Sequence, residues 1–335
     1  VMYNLTVAGD YLVSIAFRKI SSANISHSYL SSIVGSPFTI YMNADVVYPS
    51  LTLSSGLGRY QAVINESAFF ELKFRDRFEN KVIVGGRKLY MRLIGTSIGS
   101  TVIPRCIDEL NGHYTCSYST IYPGNHELRI KSLQQSGLGP GGDGLQGTYY
   151  FHQFSDSDMH FKNMSQQLFF TRVDNVISFS WHNGLLEAMV VAANLSTVSS
   201  GITSVSAATA ISEMLRRGYG QSVRWTGFLV APLTDTFLFK IRTDHLNASI
   251  YIDSTLVFDS VNLIRMPFSF VSNDVYAITV EVSYMVTEMF NKPPTHLSLL
   301  WSTPKLKESV IPNFFLYSTA EEIALSPFLV KVNNN

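Results

Sequence analysis

Along most of this chain apolar and polar residues alternate with a period of two, the signature of strands that bury one face. Between 276 and 284, Tyr276, Ile278, Val280, Val282 and Tyr284 fall on one side, and Ala277, Thr279, Glu281 and Ser283 on the other. Residues 127–132, 237–242 and 249–252 repeat the pattern. Short strands separated by clusters of Gly, Pro, Asn and Asp predict an all-β protein built from sandwiches or barrels. One stretch departs: 207–217 predicts a short helix stopped by Gly218.

The pattern also repeats at long range. VAGDYLVSIAF (7–17) is followed by VGSPFTIYM (34–42), and YPGNHELRIKSL (122–133) by LSPFLVKV (325–332). In both copies an alternating strand follows a glycine turn, and a second strand opens with Ser-Pro-Phe. In the first copy 16 residues separate the two pieces, and in the second 191 do. One module type present twice, with a whole domain inserted before the last strand of the second copy, accounts for this spacing. Loop-closure entropy grows slowly with length, so an antiparallel pair tolerates such an insertion.

Composition narrows the function classes. The 335 residues are 46% hydrophobic and 13% aromatic, enough for two packed cores. Charged residues are only 15%, with 25 basic against 25 acidic, so no basic surface draws nucleic acid. No apolar run reaches the roughly 18 residues that span a bilayer, and the longest, 185–195, is broken by Glu187. No charged and apolar leader follows Val1, so the stretch reads as the interior of a longer chain. Cys106 and Cys116 flank the turn signal Asn111-Gly112. Strands folded back there place the two side chains opposite each other at a separation a disulfide closes, the alternative being two buried thiols. Asn-x-Ser/Thr occurs at Asn4, Asn24, Asn65, Asn163, Asn194 and Asn247. Six sequons and a cysteine pair together favour a secreted or cell-surface glycoprotein.

Two stretches resemble known families. Residues 50–95 are similar to the first half of a filamin-type immunoglobulin-like repeat. The matching elements are Gly56-Leu57-Gly58, Phe70, Asp76 followed by Asn80, and Gly85-Gly86. DELNGHYTCSYSTIYPGNHELRI (108–130) is similar to the second half, and Ser-Pro-Phe to the final strand. The resemblance implies a complete repeat over 43–135 plus 324–332, and the C-terminal strands of another over 1–42. Residues 143–320 resemble a PA-14 domain. GLQGTYYFHQF (144–154), VRWTGFLVAP (223–232), TFLFKIRTD, IYIDSTLVFD (250–259), LSLLWSTP (297–304) and IPNFFLY (311–317) carry that likeness. Trp225 and Trp301 would supply core surface there, and Pro232 a strand end. The implied fold is an immunoglobulin-like β-sandwich plus a PA-14 sandwich or barrel with a short helix.

Candidate chemistry is sparse. Calcium-dependent sugar-binding members of the PA-14 family carry two adjacent aspartates after the TFLFKI-type strand. Here that position reads Asp244-His245. An imidazole is a poor calcium ligand, and a glycan on Asn247 would crowd a sugar, so calcium is disfavoured. Gly137 to Gly142 satisfies G-x-G-x-x-G, but the residues after it, GTYYFHQF, are strand-like and Pro140 removes an amide, so the stretch reads as a flexible linker. The eight histidines form no metal motif, and no nucleophile elbow is present. Asp253 and Asp259 form a carboxylate pair only if the fold brings them together, and Asp253 matches the Ile-Asp turn of the PA-14 resemblance, which implies a structural Asx-turn role. No cofactor and no catalysis are expected. The expectation is an extracellular structural or assembly glycoprotein, partnered by its own kind or by neighbouring repeats. The alternatives are a carbohydrate-binding adhesin and a non-catalytic module of a secreted glycosidase-like protein. Residues 1–42 hold only the last strands of a module, whose other strands lie upstream or come from another subunit.

Overall fold

The alternating segments become strands in a computed structural model, which describes residues 4–20, 28–97, 99–134, 141–153, 166–180, 219–243, 246–284 and 296–334. The first strands are β1 (Gly9–Val13), β2 (Ala16–Ile20), β3 (Ser28–Ser32), β4 (Phe38–Met42), β5 (Leu53–Ser55) and β6 (Gln61–Val63). They continue with β7 (Ala68–Lys73), β8 (Leu89–Gly95), β9 (Arg105–Asp108), β10 (His113–Tyr118) and β11 (Gly124–Leu133). Next come β12 (Leu145–Gln153), β13 (Gln166–Asp174), β14 (Ser178–Ser180), β15 (Tyr219–Val230) and β16 (Asp235–Thr243). After them run β17 (Asn247–Ile252), β18 (Thr255–Asp259), β19 (Ile264–Arg265), β20 (Phe268–Phe270) and β21 (Val275–Tyr284). The last are β22 (His296–Ser302), β23 (Ser309–Val310), β24 (Leu316–Tyr317), β25 (Ala320–Glu322) and β26 (Phe328–Asn333). The fold is all-β, as the alternation predicts. The expected helix at 207–217 lies outside the described residues.

Two compact units emerge. One comprises Val1–Gly86, Met91–Lys131 and Glu322–Asn335, the other Arg87–Tyr90 and Ser132–Glu321. In the first, one sheet runs β5-β7-β10-β9, and a second carries β11 beside β26, β25 and β8, with β6 parallel to β26. Their inner faces bury Phe70, Leu72 and Tyr114 from one sheet and Leu128, Ile130, Phe328 and Val330 from the other. Each such side chain contributes about 1.5–3 kcal/mol when fully buried. The Tyr118 hydroxyl donates to the Gly58 carbonyl, and burial pushes its pKa up to about 12.

The β9–β10 hairpin turns through three residues, Leu110 to Gly112, rather than through Asn-Gly alone. Glu109 N–H donates to the His113 carbonyl, Asp108 accepts from Leu110 N–H, and Asn111 accepts from His113 N–H. Extra side-chain acceptors stabilise the longer turn. Cys106 lies directly opposite Cys116 in this register, and the two form a disulfide.

In the second unit a large sheet, β13-β12-β15-β21-β17-β18-β19, faces a smaller one, β14-β22-β16-β20. Phe179 stacks on Trp225 and Phe270 tilts against Tyr276, so rings from the two sheets close the core. Trp225 and Trp301 are both buried, and β15 ends two residues before Pro232. A buried carboxylate lies beside those rings. The Asp174 carboxylate accepts from Trp225 Nε1 at 2.7 Å and from the Tyr149 hydroxyl, and pairs with Arg172 at 2.6 Å. Burial, followed by the Asp174 charge, raises the Tyr149 pKa, so its hydroxyl remains a donor.

The end of the expected flexible linker is pinned. Gly142 N–H donates to the Phe314 carbonyl, and a Cβ there would lie 1.7 Å from the Leu316 oxygen. Asp143 then accepts from both the backbone N–H and the hydroxyl of Ser318. Glycine stands at 142 because the two chains approach too closely for a side chain. Residues 137–140 lie outside the described residues.

Candidate functional site

The two Ser-Pro-Phe copies fold into the same strand pair in the same register. Gly9 opposes Met42 and Val13 opposes Phe38 in β1–β4; Gly124 opposes Val332 and Leu128 opposes Phe328 in β11–β26. In both copies the Phe lies opposite the fourth residue after the Gly. The side-chain bonds match too. Ile15 N–H donates to the Ser36 hydroxyl at 2.8 Å, and Ile130 N–H to the Ser326 hydroxyl at 2.9 Å. Ser36 and Ser326 N–H groups donate to the carbonyls of Ile33 and Ile323, whose own N–H groups reach the carbonyls of Ile15 and Ile130. Gly9 and Gly124 both have positive φ, which glycine alone adopts at little cost.

What differs is what lies over the pair. In the second copy the apolar face is sealed: Ile130 is 0% and Phe328 3% exposed, with Tyr60 edge-on to the Phe328 ring. In the first, the equivalent Ile15 is 44% and Phe38 38% exposed. Indeed none of residues 4–18 and 30–42 is buried. The β2–β3 hairpin, where Ala16 opposes Ser32, forms a separate two-stranded sheet between β1 and β4 in the chain. Exposed apolar faces of this kind mark interaction surfaces in folded proteins.

A polar hub holds the open segment at its two ends. Asp76, fully buried, accepts from the backbone N–H of Phe78, Asn80 and Asp45 and from the Asn80 amide, each at 2.8–2.9 Å. Asn80 in turn accepts from Ala8 N–H at 2.9 Å and donates to the Thr6 carbonyl at 2.7 Å. Residues 6–8 and 45 are thereby tied to the turn after β7. Burial raises the Asp76 pKa, but the bonds from Asn80, Asp45 and Phe78 outweigh it and hold the carboxyl below its usual value.

The other predicted residues scatter. Asn65 is exposed in a left-handed turn (φ 61°), Asn4 is exposed, and Asn247 begins β17 half-buried. Asn24, Asn163, Asn194, Asp244 and His245 lie outside the described residues. Asp253 accepts from Ala277 N–H on β21, a cross-strand bond rather than the expected Asx-turn, while Asp259 accepts from the N–H groups of Val261 and Asn262 in the turn that follows it. Among the described residues no three His, Cys, Asp or Glu side chains gather to hold a metal ion, and no helix is long and apolar enough to cross a membrane. The Asp76–Asn80 hub is carried by two residues of the filamin-type pattern, but its reach to residues 6–8 has no sequence signal.

No protein-family model and no curated protein matches the chain. Among solved structures, an anti-sigma factor domain-containing protein from Clostridium clariflavum is 15% identical over 93% of this chain and 100% of its own, with a TM-score of 0.35. The epithelial adhesin 6 A domain from Candida glabrata, solved with Galb1-3GlcNAc, is 11% identical over 55% of this chain and 90% of its own, with a TM-score of 0.35. The PA14 domain of the antifreeze protein MpAFP is 14% identical over 59% and 96%, with a TM-score of 0.29. All three scores lie below 0.5, so functional reasoning rests on the residues of this chain.

Proposed function

We propose that this chain is a non-catalytic, modular segment of an extracellular assembly glycoprotein, and that residues 4–42 are its assembly element. The observation that carries this reading is the duplicated strand pair, sealed beneath a second sheet in one copy and open in the other. A sheet from upstream in a longer chain, or from a second copy, would give Ile15 and Phe38 the cover that Ile130 and Phe328 already have. We read the module as a filamin-type repeat and the stretch 143–320 as a PA-14 domain inserted into it. The Cys106–Cys116 disulfide and the six sequons support an oxidising, glycosylating compartment. Asn65, exposed on a turn, is the best-placed acceptor, and peptide mass spectrometry of protein from a glycosylating host is expected to find it modified.

Light scattering after size exclusion tests the assembly role. The wild-type chain is expected to self-associate with rising concentration, and Ile15→Asp with Phe38→Asp to run as a monomer with an intact second unit. Burying either carboxylate against a partner sheet costs several kcal/mol, enough to abolish a micromolar contact. A wild-type chain that stays monomeric, or a double variant that associates equally, would overturn the role.

A further inference from the structure

The smaller sheet of the second unit carries a depression on its outer face. Along β16, Phe237, Phe239 and Ile241 turn inward, which leaves Leu238, Lys240 and Arg242 outward. Register places Leu300 beside Lys240 and Ser302 beside Leu238. Glu308, just before β23, and Arg265 of β19 also line this cavity of about 250 Å³. Leu300 is buried although it faces outward, so the floor is apolar and the rim is charged.

The rim charges do not cancel. Lys240 Nζ lies 3.2 Å from the Glu308 carboxylate, which also pairs with Arg242. The single carboxylate is therefore shared by two cations, while no ion pair among the described residues engages Arg265. An excess of positive charge over an apolar floor selects against cations and against fully hydrated anions alike. A neutral sugar is also poorly served. Trp301 is only 2% exposed, which leaves no ring face to stack on, and Glu308 is already taken. The volume lies below the range of about 300–1,000 Å³ typical of drug-sized ligands, so the occupant is small.

We propose that this depression binds a small organic monocarboxylate with an apolar body. The carboxylate sits between Arg265 and Lys240, and the body lies over Leu238 and Leu300. The guanidinium fork of Arg265 matches a carboxylate in two parallel bonds, and its exposure keeps it free to close on the ligand. Free metabolites such as benzoate and the C-terminus of a peptide share this chemistry. N-acetyl-leucine represents the second source.

The test titrates the full chain with benzoate, N-acetyl-leucine and N-acetyl-leucinamide by ligand-detected NMR. At least one acid is expected to bind about tenfold more tightly than the amide, in line with the strength of charge-assisted bonds. Preference for benzoate points to a free metabolite, and preference for N-acetyl-leucine to a peptide end. Arg265→Ala is expected to remove that advantage and Lys331→Ala, on the other unit, to leave it unchanged. Equal binding of acid and amide, an unaltered affinity in Arg265→Ala, or no binding of either acid at millimolar concentration would overturn the assignment. The acid–amide comparison needs no variant, so it stands even if a substitution perturbs the fold.

Discussion

Phe38 and Phe328 hold the same register position in two versions of one strand pair, so truncating each to alanine separates local structure from burial. Phe328 is 3% exposed, meets Tyr60 edge-on at 6.3 Å and lies beneath the Arg59 guanidinium at 5.5 Å. Phe328→Ala should cost the first unit about 3–5 kcal/mol, the usual loss for a buried Phe together with its cavity. Phe38 is more than ten times as exposed, so only partial transfer is lost, about 1 kcal/mol. All three tryptophans, Trp181, Trp225 and Trp301, fall within the second unit, which makes their fluorescence blind to this comparison. The assay is urea-dependent hydrogen exchange of β10 and β11, read by mass spectrometry at a concentration where the chain is monomeric. Equal losses in the two variants would refute the reasoning, because Phe38 would then be packed within its own chain.

Three further outcomes are expected from the same structure. Asp174→Asn removes the charge that holds Arg172, Tyr149 and Trp225, and should lower the stability of the second unit by about 3 kcal/mol, seen as a lower urea midpoint in tryptophan fluorescence. Because the folded pKa of Asp76 lies below its unfolded value, its contribution is complete above the unfolded value and drains away as pH falls through the folded one. The first unit should therefore weaken in acid, and Asp76→Asn, already weaker at neutral pH, should show a flatter acid dependence of its exchange-derived midpoint. Reducing the Cys106–Cys116 bridge should cost the first unit about 2–3 kcal/mol, measured as the same midpoint with and without reductant.

Much of the fold was legible because strand alternation is local. The buried set Tyr276, Ile278, Val280 and Val282 can be read directly from its period of two. The duplicated pair was visible for the same reason, since glycine and Ser-Pro-Phe mark both ends of each copy. Which copy is sealed was not legible from the local pattern, only from the resemblance, which gave residues 1–42 just the last strands of a module. Ile15 and Ile130, or Phe38 and Phe328, are the same residue types in the same local pattern, and only an opposing sheet distinguishes them. Asp174 likewise carries no local sign of Tyr149 and Trp225, which lie 25 and 51 residues away on other strands, although its third partner Arg172 is on the same strand. The cavity over Leu300 depends on register between β16 and β22 and on where β19 ends, both non-local facts. Gly142 looked like linker because composition cannot tell a glycine chosen for freedom from one chosen for close approach.

The claim that residues 4–42 present an open module face is tested most directly by comparing the two copies within one sample. Hydrogen exchange at 34–42 and 325–333 is followed from dilute to concentrated protein. The account predicts strong, concentration-independent protection at 325–333, and protection at 34–42 that is weak when dilute and rises as chains associate. Equal protection of the two stretches in dilute solution, or protection at 34–42 that never rises, would contradict it.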